Sequence, residues 1–122
     1  MKVRLTTAMI RIRVDQRDVD TLAEAGSIGL AVPLRGGQMF RCRLDVRDTR
    51  AVQATMEDGT LRVVLPRDRA EDWMSTDAVS LDTQIEADGR LTRILVEKDL
   101  GCQHGDDASG SSETSMFDHL RE

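Results

Sequence analysis

Val52-Gln53-Ala54-Thr55-Met56-Glu57-Asp58-Gly59-Thr60-Leu61-Arg62-Val63-Val64-Leu65 decides how the rest of the chain is read. Asp58-Gly59 is a two-residue type I′ signal, because both residue types tolerate the left-handed backbone that a tight hairpin needs. With that turn in place, Met56 faces Leu61, Ala54 faces Val63 and Val52 faces Leu65, all apolar and all on one side. Thr55 then opposes Arg62 and Glu57 opposes Thr60 on the other side. A slip of one residue would carry the whole apolar set into water, so the register is well determined.

Two further hairpins follow from the same reasoning. Asp88-Gly89 pairs Ile85 with Thr92, Thr83 with Ile94 and Leu81 with Val96, while Gln84 faces Arg93 and Ser80 faces Glu97. Leu91 and Leu95 make that second face partly apolar, which suits a hairpin covered on both sides. Around Gly36-Gly37 a two-residue loop would put Arg41 among apolar side chains. A three-residue loop, Arg35-Gly36-Gly37, instead aligns Val32 with Phe40, Leu30 with Cys42 and Ile28 with Leu44.

The first fourteen residues read as one strand with a break in phase, since Val3 and Leu5 keep one parity and Ile10, Ile12 and Val14 the other. A bulge near residues 6–8 would reconcile them. Asp15 is a helix N-cap, with Val14 stapling onto Val19, Leu22 and Ala23 continuing the stripe, and Gly26 as the stop. A second helix is expected after Pro66, with Asp68 and Glu71 as a capping box and Ala70, Trp73 and Met74 on one face. The runs around Ile10–Arg13 and Ile94–Glu97 each lack a partner on one side and are expected to pair with each other. The fold class is thus α+β: a mainly antiparallel sheet of about seven strands, able to curl into a small barrel, with two short helices. No internal repeat is evident. Residues 1–100 form the core domain, and the polar, breaker-rich stretch 101–122 reads as a disordered acidic tail. Within it, Met116-Phe117 and Leu120 make one short helical face that could dock on this protein or on a protein partner.

Composition narrows the function. At 122 residues the chain is a single domain, and its apolar runs are too short to cross a membrane. No apolar h-region follows Met1-Lys2, and two cysteines suit a reducing compartment, so a cytoplasmic protein is expected. The net charge is −5, and most of it lies in the tail, where one arginine meets five acids. A near-neutral core with two Phe, one Trp and no Tyr argues against nucleic-acid binding.

No nucleotide loop, nucleophile elbow or core histidine is present, and no cofactor is called for. The strands turn Arg11, Arg13, Arg41, Arg43, Arg47, Arg62 and Arg93 outward, interleaved with Asp45, Glu57, Asp82, Glu86 and Glu97. Such a face is ordinarily a solvated, salt-bridged surface. The sharper alternative is an anion site of Arg11, Arg13, Glu97 and Lys98, because guanidinium groups grip phosphate and carboxylate in bidentate fashion. Cys102 and His104 carry ligand types that suit zinc or copper. Cys42, opposite Leu30, is a core thiol.

Met9-Ile10-Arg11-Ile12-Arg13-Val14 and Leu95-Val96-Glu97-Lys98-Asp99-Leu100-Gly101-Cys102 resemble the two ends of a domain-of-unknown-function family of small prokaryotic proteins. That pattern opens Ile-Arg-Leu-Arg-Leu and closes Leu-Val-Glu-Lys-Asp-Phe-Ala-Cys; Leu100 and Gly101 stand here where it has Phe-Ala. The resemblance implies no activity, and points to Arg11, Arg13, Glu97, Lys98, Asp99 and Cys102. The sequence therefore favours a non-catalytic interaction or small-ligand-binding protein. An anion-binding protein or enzyme using the Arg11/Arg13/Glu97/Lys98 end, or a metal-binding protein through Cys102 and His104, stands as the alternative.

Overall fold

A computed structural model describes residues 1–99. Its strands are β1 (Lys2–Thr6), β2 (Met9–Val14), β3 (Ser27–Pro33), β4 (Met39–Arg47), β5 (Gln53–Glu57), β6 (Thr60–Pro66), β7 (Ser80–Ala87) and β8 (Arg90–Lys98). Helix α1 (Gln16–Ala25) follows β2, helix α2 (Arg67–Ser75) follows β6, and a single 3-10 turn spans Arg35–Gly37.

The three hairpin registers form as the turn chemistry requires. Met56 lies opposite Leu61, Val32 opposite Phe40, Leu30 opposite Cys42, and Leu81 opposite Val96. Asp58 and Asp88 take positive φ beside Gly59 and Gly89, the left-handed pair that a type I′ turn needs. α1 starts on a capping box in which Asp15 accepts from the Asp18 N–H and Asp18 accepts from the Asp15 N–H, at 2.9 and 3.1 Å. α2 differs from expectation. It begins two residues earlier, at Arg67, with Pro66 as N-cap and no side-chain cap, so the Asp68–Glu71 box does not form.

The single sheet of about seven strands is not what the chain builds. There are two four-stranded sheets, ordered β1-β2-β8-β7 and β3-β4-β6-β5, and neither closes into a barrel. Two local events account for the difference. The phase break near residues 6–8 is a hairpin turn rather than a bulge: Leu5 pairs with Ile10 and Val3 with Ile12, so residues 2–14 are two strands. In addition, β5 does not follow β4 as a meander. The chain crosses over, β6 pairs parallel with β4, and β5 is left on the edge. Burial explains the choice, since β4 and β6 carry Cys42, Leu44, Val46, Leu61, Val63 and Leu65, whereas β5 is polar at Gln53, Thr55 and Glu57. The two terminal runs do meet: β2 and β8 pair in parallel, with Ile10 opposite Ile94 and Ile12 opposite Val96. They form the middle of their sheet, with β1 and β7 outside.

The chain also repeats itself in structure. Each half runs strand, strand, helix, strand, strand. Exchanging the halves turns the order β1-β2-β8-β7 into β5-β6-β4-β3, which is the other sheet. Registers agree as well: Ile12 beside Val96 corresponds to Val63 beside Leu44, and Leu81 opposite Val96 to Ile28 opposite Leu44. Val19 and Leu22 are the buried positions of α1, matched by Ala70 and Trp73 on α2. No repeat was evident in the residues because equivalent positions share apolar alternation more than identity; Arg13 corresponds to Val64, and Asp15 to Pro66. Each sheet takes one hairpin from each half, and the inner faces and both helices share one core.

Candidate functional site

The repeat separates what the fold needs from what one half alone possesses. On the outer face of the first sheet, Arg11 Nε donates to Glu97 Oε1 at 2.9 Å. Arg13 lies 4.0 Å from the same carboxylate and 3.2 Å from Asp99. Two arginines thus meet two carboxylates, and the register sets Lys2 and Arg4 of β1 beside Arg13 and Arg11 on the same face. Three of the four residues singled out in the sequence come together here. Lys98 does not join them. Even positions of β8 face the core, so its Nζ leaves by the other side, donates to the Thr76 carbonyl at 2.7 Å and sits 5.8 Å from the Trp73 ring centroid. Arg93 is occupied by Asp82 through a bidentate pair at 2.9 and 2.6 Å, and this hydrogen bonding holds the Asp82 carboxyl below its ordinary pKa. Cys102 and His104 lie outside the described residues.

The equivalent place on the second sheet is built differently. Arg62 corresponds to Arg11 and Asp45 to Glu97, and again they pair, Arg62 Nη1 donating to Asp45 Oδ2 at 2.8 Å. Here, however, Arg47 also donates to Oδ2 at 3.2 Å, and Arg43 Nη2 lies 3.5 Å from Oδ1. Three guanidinium groups surround one carboxylate, which is only 2% exposed. Asp45 Oδ1 and Arg43 Nε are buried without a hydrogen-bond partner. Opposite Arg43 stands Gly29, where a Cβ would come within 3.3 Å of the Arg43 Cγ. The glycine therefore makes room for Arg43 to lie back along β3 and donate to Ser27 Oγ at 2.6 Å.

This end of β4 opens onto a groove of about 880 Å³. Arg43, Asp45 and Arg47 form one wall, with Arg67 of α2 beside them, and Asp20 and Glu24 of α1 with Glu71 of α2 supply acidic groups. Arg67 is held by Asp48 at 2.7 Å, a bond that raises its already high pKa. The groove exists on this side because α1 turns directly into β3 through Gly26, whose positive φ reverses the chain in a single residue. On the other side the connection from α2 is longer. Val79 lies in it and accepts from Trp73 Nε1 and the Lys98 N–H, and Lys98 occupies the position that Val46 has here.

The chain belongs to the family of unknown function DUF7009, whose match covers residues 1–119. That agrees with the resemblance carried by the two ends of the core, and the family brings no activity with it. No curated protein and no solved structure matches. Within this DUF7009 chain, the Arg11–Glu97 contact was legible from two strand-like runs with opposite charges. The Asp45 cluster was not, although Arg41-x-Arg43-x-Asp45-x-Arg47 on one strand face was its visible trace. Among the described residues, no helix is long and apolar enough to cross a membrane, and no group of three His, Cys, Asp or Glu side chains could hold a metal ion.

Proposed function

We propose that this DUF7009 protein is a non-catalytic module that binds a small anion in the groove beside Arg43, Arg47 and Arg67. The observation that carries the reading is the sharing of one buried carboxylate, Asp45, by Arg43, Arg47 and Arg62, which leaves guanidinium donors of Arg43 and Arg47 unused at the groove wall, while exposed Glu57 approaches only Arg62, at 4.0 Å. Arg47 is 56% exposed along its side chain and retains donors that Asp45 does not use. Planar guanidinium donors suit phosphate or carboxylate oxygens. Asp20, Glu24 and Glu71 at the same groove repel an extended polyanion, which favours a small ligand, and one with a cationic or hydrogen-donating end best of all. Arg11, Arg13 and Glu97 serve in this reading as an internal closure of the first sheet. A cytoplasmic setting is supported by Cys42, a buried free thiol.

Isothermal titration with inorganic phosphate and with succinate tests the proposal. Binding should weaken at least tenfold in Arg47→Gln and stay unchanged in Arg93→Gln, whose arginine is spent on Asp82. Equal affinity in the two variants, or no binding of either anion by the unaltered chain, would overturn it.

A further inference from the structure

The inner faces of both sheets run on beyond the core toward the hairpin turns. Leu5 pairs with Ile10 and shares a face with buried Ile12; Met56 pairs with Leu61 beside buried Val63; Val32 pairs with Phe40 in line with buried Leu44. Yet Leu5, Met56 and Val32 are 52%, 59% and 45% exposed. The helices leave from the opposite ends of β2 and β6, so neither can shield these residues. Positions that face inward by register and water by exposure leave the hairpin end of the apolar faces uncovered, and exposed apolar surface of this kind marks docking sites.

We infer that this surface is covered by Met116, Phe117 and Leu120 of the same chain. Beyond residue 100 these are the large apolar side chains that the sequence offers, and the DUF7009 match runs through Met116 and Phe117 to residue 119. The reach is sufficient. The Asp99 N–H bonds the Val14 carbonyl, so the chain leaves from the helix end of β8. From there back to the hairpin end is the length of β8, ~30 Å at about 3.3 Å per residue. The stretch 100–115 can span ~50 Å when extended. Being tethered, the segment acts at an effective concentration in the ~mM range, so three modest apolar contacts suffice to hold it. The docking is independent of the anion groove, which lies at the other end of β4.

Replacing Phe117 in the full chain by p-benzoylphenylalanine, irradiating a mixture of isotopically light and heavy chains, and mapping the adducts by mass spectrometry tests this directly. Adducts within one chain, on the peptides that carry Leu5, Val32 or Met56, are the expected result. Met56→Glu should cut their yield at least threefold, whereas Arg93→Gln should leave it unchanged. Adducts only between light and heavy chains would overturn the assignment by giving the surface to a second copy. Adducts confined to other peptides, or none at all, would overturn it as well.

Discussion

Replacing Asp45 by asparagine removes the one negative charge that three arginines share while keeping the side chain's shape. Arg62 and Arg47 donate to Oδ2 at 2.8 and 3.2 Å, and a hydrogen bond to a charged group contributes about 1.5–3 kcal/mol. An amide oxygen still accepts, and the arginine side chains are 25% to 56% exposed, so water and screening recover much of that sum. The remainder is about 2 kcal/mol, or about 6–12 °C in Tm for a domain of this size. Trp73, the chain's one tryptophan, is 2% exposed and reports unfolding by fluorescence in urea. The midpoint should fall with no change in slope, since the same surface is exposed on unfolding. Glu97→Gln, at the equivalent place, should cost less, about 1 kcal/mol or under, because its carboxylate is more exposed and Arg13 keeps Asp99. Sulfate should stabilise the Asp45→Asn variant more than the unaltered chain, by restoring an anion among the three arginines. A loss below about 0.5 kcal/mol, or a larger loss in Glu97→Gln, would refute the claim that Asp45 is the buried centre of this cluster.

Three further outcomes are expected. Glu97→Arg should destabilise the fold, and adding Arg11→Glu should partly restore it; a double mutant no more stable than the sum of the singles would deny the 2.9 Å pair between β2 and β8 any coupling. Burial pushes the Cys42 thiol up to about 11, so native protein at pH 8 should react with a thiol reagent at this position far more slowly than urea-unfolded chain, as peptide mapping would show. Burial raises the Asp18 carboxyl, but hydrogen bonds from the terminal ammonium and the Asp15 N–H outweigh it and hold the pKa below 3.8. Its stabilisation is therefore present above that value and is lost as the pH falls through the lower folded-state value, and Asp18→Asn should flatten the acid limb of the stability curve.

What the residues alone determined is local. Asp58-Gly59, Asp88-Gly89 and the Arg35–Gly37 loop set three hairpin registers, because a tight turn admits few backbone conformations and alternation then permits one phase. Asp15 and Gly26 bounded α1 for the same kind of reason: a side-chain oxygen for orphan N–H groups at one end, a left-handed glycine at the other. The meeting of β2 with β8, and with it the Arg11–Glu97 pair, was legible because both runs are strongly strand-like and lack a turn-defined partner on one side. Tertiary structure decided how the hairpins combine. Backbone hydrogen bonds between strands are the same for every sequence, and one curled sheet or two facing sheets bury the apolar faces equally well on paper. Only the packed chain shows β4 beside β6, β5 on an edge, and the halves exchanged between sheets. The same packing turned Lys98 away from Glu97 and buried Asp45 among three arginines, since burial of a charge depends on neighbours brought from elsewhere, here Arg62 of β6, as well as on Arg43 and Arg47 of its own strand.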